Sequence, residues 1–106
     1  MPKFLFESHY TADGAKGLEK EGGTSRREAV KRHLQDLGGT LECMYFAFGD
    51  VDVYSIVDLP DHASAAALSL AVNQSGAISS KTVVLLTPEE LDEASRKTVR
   101  FRAPGQ

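Results

Sequence analysis

The chain has 106 residues, of which 42% are hydrophobic and 25% are charged, a composition typical of an ordinary globular domain. Its net charge of −3 argues against a general nucleic-acid-binding protein. The single cysteine, Cys43, excludes an internal disulfide and an intrachain thiolate metal cluster. No apolar run approaches the roughly 20 residues that cross a bilayer, and Glu7 follows too soon after Met1 for a signal peptide. These features predict one cytoplasmic domain, residues 1–106, that binds neither nucleic acid nor membrane.

The first 20 residues have the pattern of a strand followed by a short helix. Residues 3–10 are rich in aromatic side chains and run into a turn signal, which predicts the first strand. Asp13 is the expected N-cap of a helix over residues 14–20. Two glycines inside that helix weaken it by about 1 kcal/mol each relative to alanine.

A second helix is predicted between two glycine pairs. Ser25 and Glu28 have the spacing of a capping box, and Gly38-Gly39 ends the helical pattern. One face of this helix carries an apolar stripe made of Ala29, Val30, His33, Leu34 and Leu37. The other face is basic and is expected to face solvent: Arg26, Arg27, Lys31 and Arg32.

Two strands follow, predicted over residues 40–48 and 51–58. Only Gly49-Asp50 lies between them, which predicts a two-residue hairpin with glycine at the position of positive φ. Their side chains alternate between two faces. In the first of them, Met44, Phe46 and Phe48 fall on one face, and Leu41, Cys43, Tyr45 and Ala47 on the other.

The remaining elements are a helix, a strand and a further helix. Asp61 is the expected N-cap of an alanine-rich helix over residues 62–75, and a strand follows at 79–86. Thr87 begins a second capping box with proline next in sequence, which predicts a last helix to about Val99. A frayed or docked tail comes after it.

The predicted order β-α-β-β-α-β, with an added C-terminal helix, is that of the ferredoxin-like split βαβ arrangement. Such an α+β domain has a four-stranded antiparallel sheet with its helices on one face. The face of the sheet away from the helices usually meets water and is polar. Here both phases of the strands are largely apolar, which predicts that a second copy covers this face in a homodimer or larger homo-oligomer.

Four polar residues are candidates for a cleft at that sheet face. If the valine phase of the third strand meets the helices, Asp52 and Tyr54 point the other way, and Glu7 and His9 of the first strand join them. A carboxylate, an imidazole and a phenol in a half-buried cleft are the groups that proton transfer requires. The alternative interpretation makes His9 a hydrogen-bonded rim residue, Asp52 a turn cap and Tyr54 an interface packing residue.

No cofactor or metal site is predicted. His9, His33 and His62 lack the spacing of metal ligands, and no glycine-rich phosphate loop occurs. The surroundings of Cys43 contain nothing that marks an activated thiolate, so it is expected to be a small buried hydrophobe.

The chain resembles the GYD-domain family over roughly residues 2–97. The resemblance is carried by Tyr10-Thr11-x-x-Gly14, Gly22-Gly23-x-Ser25-Arg26, Leu37-Gly38-Gly39, Phe46-x-Phe48-Gly49-Asp50, Asp58-Leu59-Pro60-Asp61, Gly76 and Leu86-Thr87-Pro88-Glu89-Glu90. The name motif departs in one residue, because Val51 stands where the family has tyrosine. The resemblance implies a dimeric α/β barrel, a fold whose wider group includes cofactor-free monooxygenases, isomerases, haem enzymes and stress-response proteins. It does not transfer a reaction.

Three functions are compatible with these observations. The first is a small-molecule enzyme or binding protein, with isomerase or cofactor-free oxygenase chemistry at Glu7, His9, Asp52 and Tyr54. The second is a tautomerase that uses Pro2 as an N-terminal amine after removal of Met1. The third is a non-enzymatic scaffold or regulatory module that only assembles.

Overall fold

The computed structural model describes residues 1–106. In chain order the elements are β1 (Lys3–Tyr10), α1 (Ala12–Glu21), α2 (Gly23–Asp36), β2 (Thr40–Phe46), β3 (Val53–Asp58), α3 (His62–Gln74), β4 (Ile78–Leu85) and α4 (Pro88–Ser95). The four strands form one antiparallel sheet in the order β2-β3-β1-β4. This arrangement confirms the predicted ferredoxin-like α+β fold, with β1 and β3 at the centre of the sheet.

One face of the sheet forms the core together with α2 and α3. The core cluster consists of Phe4, Phe6, Leu34, Val57, Leu59 and Ala65. Val53 and Val57 of β3 are both buried, so the valine phase of that strand meets the helices, which is the condition set for the predicted outward-facing residues. Burying each large side chain of this kind stabilises the fold by about 1.5–3 kcal/mol.

The opposite side of the sheet is termed the outer face. The pairing register of the strands places the following side chains together on this face: Leu5, Glu7 and His9 of β1, Cys43 and Tyr45 of β2, Tyr54 and Ile56 of β3, and Lys81, Val83 and Leu85 of β4. Tyr45 is 69% exposed and Val83 is 40% exposed. Apolar and aromatic side chains therefore alternate with charged ones on a face that no helix covers.

The start of α2 differs from the prediction. Gly22 has φ 89°, a conformation that favours glycine, and its N–H donates to the Leu18 carbonyl that ends α1. The chain turns at this one residue, so α2 begins at Gly23 and Ser25 lies inside the helix. The predicted capping box of Ser25 and Glu28 is therefore wrong.

The start of α1 also differs from the prediction. Its N-cap is Thr11, whose Oγ1 accepts from Gly14 N–H, and not Asp13.

The predicted two-residue hairpin between β2 and β3 is also wrong. β2 ends at Phe46 and β3 begins at Val53, and Gly49 does not have a positive φ. Asp52 is the reason, because its N–H donates to the Ser8 carbonyl at 2.9 Å and its Oδ2 accepts from Tyr10 N–H at 2.9 Å. Asp52 is thereby bound to the end of β1, and a wider loop is left between the two strands.

A β-bulge changes the faces of β2. Leu41 pairs with Val57, whereas Cys43 pairs with Ile56, so the register shifts at Glu42 between them. Leu41 accordingly packs against the core, and its predicted placement on one face with Cys43 is wrong. The extra residue puts the Glu42 carboxylate 2.6 Å from Lys3 Nζ.

The C-terminal helix has the predicted beginning and an earlier end. Thr87 and Glu90 form the capping box, with Pro88 as the first helical residue, as expected. The helix stops at Ser95 and has no buried residue, so the part predicted to reach Val99 is not helical. None of the four helices combines the length and apolarity needed to cross a membrane.

Candidate functional site

Helices α2 and α3 leave a crevice between them above the centre of the sheet. An inner cavity of about 60 Å³ lies against the sheet, and an outer crevice of about 490 Å³ lies between the two helices. The same five side chains line both spaces: Arg26, His33, Leu68, Val72 and Ile78. The two spaces therefore adjoin each other, and a small molecule in the crevice would contact side chains that also line the inner cavity.

Small hydroxyl residues line the inner cavity where the strands of the sheet meet. Ser8 of β1 and Ser80 of β4 are register partners, and their Oγ atoms lie 3.2 Å apart. Ser55 of β3 lines the same cavity and is buried. Serine has little volume, so the core phase of three adjacent strands leaves space at this point that larger side chains would fill.

The remaining lining of the inner cavity is mainly apolar. It includes Phe6, Val30, Met44, Val53, Val57, Leu68, Val72 and Ile78. Ligand sites in proteins commonly have such apolar walls with a few polar groups that fix the orientation of the ligand.

Tyr10 and Arg26 form the polar side of the cavity. Burial raises the pKa of the Tyr10 phenol, and the neighbouring Arg26 guanidinium opposes that shift. The phenol is therefore neutral at physiological pH and can donate a hydrogen bond. No carboxylate lies within ion-pair distance of Arg26, whereas Arg27 Nε lies 3.7 Å from Glu28 Oε1.

Arg26 and His33 line the site, although the sequence pattern of α2 predicts other roles for both. The pattern predicts that Arg26 faces solvent with the other basic residues of α2, but it is half-buried and lines both spaces. The pattern predicts His33 on the apolar stripe, but it is exposed at the crevice. Positions 26, 30, 33 and 37 share one helical stripe. That spacing is the signal that would have connected Arg26 with the core side of the helix.

Glu7, His9 and Tyr54 lie together on the outer face. Glu7 is the register partner of Tyr54 on one side and of Lys81 on the other. His9 follows two residues later on β1, opposite Ser79. These three predicted residues thus share a face, on the opposite side of the sheet from the cavity.

Asp52 is bound at the end of the sheet. Its carboxylate accepts the Tyr10 amide bond described above, so at least one oxygen serves to fix the β1 terminus. This contact is of the kind that the alternative interpretation predicts, in which Asp52 satisfies backbone amides. A role for Asp52 in proton transfer stays a prediction.

Pro2 lies far from the cavity. It precedes β1, and its carbonyl accepts from Leu59 N–H at 3.1 Å, whereas Ser8 and Tyr10 are at the other end of the strand. At about 3.3 Å per residue this separation is roughly 20 Å. The tautomerase hypothesis therefore stays a prediction, and Pro2 has no contact with the cavity.

No group of three or more His, Cys, Asp or Glu side chains is placed to hold a metal ion.

The four-stranded antiparallel sheet with helices on one face and a cavity beneath them defines a ferredoxin-like α+β domain. The GYD domain family model matches residues 4–95, which confirms the resemblance seen in the sequence. The chain belongs to the GYD domain family. No curated protein and no solved structure matches it significantly.

Proposed function

We propose that this protein binds a small organic molecule between α2, α3 and the sheet. The observation that supports this proposal is an outer crevice that shares five side chains with an adjoining inner cavity, whose walls are apolar and carry hydroxyl groups. An apolar ligand body would replace water along the walls. A polar atom of the ligand would exchange hydrogen bonds with Ser8 and Ser80.

Benzyl alcohol is a suitable neutral probe of this site. We expect saturable changes in the backbone amide resonances around Ser8, Ser80 and Val72 when it is titrated into the protein. Val72→Phe places a ring between the crevice and the cavity, so we expect it to weaken binding at least 10-fold. The measurement is a two-dimensional NMR titration of each variant.

Val99→Phe is the matched control, because Val99 is 77% exposed in the C-terminal tail. It makes the same substitution away from the cavity and should leave benzyl alcohol binding unchanged. Unsaturable or scattered resonance changes in the unmodified protein would contradict the proposed site. Equal weakening by both variants would show that the effect does not come from the crevice.

We further propose that the binding unit is a homodimer joined through the outer faces of two sheets. The side chains of that face support this arrangement, because Leu5, Ile56 and Val83 are flanked by Glu7 and Lys81 of opposite charge. Under two-fold symmetry the same patch must complement itself, and mixed charges around an apolar centre fulfil that condition. The C-terminal segment adds exposed Phe101 as a further contact for a second copy.

Ile56→Glu tests this assembly. It puts a carboxylate at the centre of the outer face, so we expect the solution mass to fall from twice the 11.5 kDa of the chain to one chain mass. Leu70→Glu is the control, because Leu70 is 62% exposed on α3. Light scattering at several protein concentrations measures both. A monomeric unmodified protein would contradict the proposed dimer.

A second candidate function places isomerase or cofactor-free oxygenase chemistry at the dimer interface. The observation that favours it is the register pairing of Glu7 with Tyr54, with His9 nearby on the same face. Burial between two sheets would take this carboxylate, phenol and imidazole out of water, and these are the groups that proton transfer requires. This function requires the dimer. A dimer that binds no small molecule at either site would instead be the scaffold or regulatory module.

A further inference from the structure

We propose that the ligand of the α2–α3 crevice is an organic anion, an apolar or aromatic body with one carboxylate, and that Arg26 binds its charge. This inference rests on the proposed small-molecule function of the crevice. It adds the charge of the ligand and the residue that selects it.

The position of Arg26 is the first argument. Arg26 lines both the inner cavity and the outer crevice, and its guanidinium lies beside the Tyr10 phenol, which also lines the inner cavity. It is the only residue with a permanent charge around the inner cavity. A ligand that enters with its apolar body against the walls would bring its polar end to this group.

The lack of an internal carboxylate partner for Arg26 is the second argument. Half-buried arginines normally pair with carboxylates, since a charge removed from water needs compensation. Four carboxylates occur in this region. Asp52 accepts from the Tyr10 amide, Glu21 accepts from the Ser25 hydroxyl, Asp36 lines only the outer crevice, and Glu28 pairs with Arg27 and Lys31. None of them lies within 4.0 Å of the Arg26 guanidinium.

The neighbouring groups favour a carboxylate in particular. The guanidinium fork binds two oxygens of one carboxylate in a planar, bidentate arrangement. The neutral Tyr10 phenol beside it supplies an additional O–H donor. A cationic ligand would meet Arg26 directly, and like charges in a half-buried site repel each other.

The experiment compares three probes of nearly equal shape by NMR titration at pH 7: benzoate, benzyl alcohol and benzylamine. We expect the unmodified protein to bind benzoate about 10-fold more tightly than benzyl alcohol, and benzylamine most weakly. Arg26→Gln should abolish the preference, so that benzoate and benzyl alcohol bind with equal affinity. Arg26→Lys keeps the charge without the planar fork and should keep part of the preference.

Arg27→Gln is the matched control, because Arg27 is the next residue on α2 and is exposed. It removes the same charge and should leave the benzoate preference unchanged. Equal affinity for benzoate and benzyl alcohol in the unmodified protein would overturn the anion proposal and leave the small-molecule function standing. A preference that survives Arg26→Gln would overturn the role of Arg26. Failure of all three probes would overturn the proposed function itself.

Discussion

Phe4→Ala is expected to lower the free energy of unfolding by about 3–5 kcal/mol. Phe4 is 1% exposed and belongs to the cluster that joins the sheet to α2 and α3. Its ring also meets the His62 ring edge-on at 5.5 Å between centroids, a contact that alanine removes. Since small domains have a total stability of about 5–15 kcal/mol, a change of this size is measurable in urea unfolding curves.

Phe48→Ala is the control for that experiment. Phe48 is fully exposed in the loop between β2 and β3, and exposed substitutions usually change stability by no more than about 0.5 kcal/mol. Both variants are measured at low protein concentration, so that the dissociation of an assembly does not contribute to the difference in unfolding free energy. Equal losses for the two variants would contradict the position of the core on the α2–α3 side of the sheet.

Two glycines in α1 are expected to respond in opposite directions to alanine. A Cβ atom at Gly14 would overlap the Ala77 carbonyl oxygen and approach the Tyr10 ring to 3.1 Å. That oxygen is fixed, because it accepts from the Thr11 amide at 2.9 Å. The helix propensity of alanine is about 1 kcal/mol better than that of glycine. Overpacking costs about 1–3 kcal/mol, and here the added Cβ would overlap a backbone atom that a hydrogen bond holds in place.

Gly14→Ala is therefore expected to lower the unfolding free energy by about 2 kcal/mol, the upper end of the overpacking cost less the gain in helix propensity. Gly17→Ala is expected to raise it by about 0.5–1 kcal/mol, because no atom lies within 4 Å of the added Cβ. Urea midpoints of the two variants measure the difference. A gain in stability from both substitutions would show that α1 does not pack against the Ala77 carbonyl.

The Gly14 contact also connects the fold with the candidate site. Tyr10, which the added Cβ would approach, lines the inner cavity together with Arg26. Close approach of α1 to the sheet thus helps to hold the phenol in place. A position that reads as a helix-weakening glycine in the sequence is a packing requirement in the structure.

Local patterns were sufficient for the order and type of every element. Strand alternation, helical stripes and the Thr87 capping box depend on neighbouring residues only, and a sequence displays neighbours directly. The same patterns separated the two phases of β3, and the burial of Val53 and Val57 decided that the valine phase meets the helices. Family membership followed from motifs that keep their order along nearly the whole chain.

The features that the sequence did not determine depend on residues far apart in the chain. The wide loop after β2 exists because Asp52 binds Tyr10, 42 residues earlier, and no local hairpin rule includes that contact. The bulge at Glu42 moved Leu41 into the core, since one extra residue exchanges the faces of a strand. The cavity arises where Ser8, Ser55 and Ser80 come together under α2. Only the packed fold decided that Arg26, one basic residue among four on its helix, is the one that faces this space.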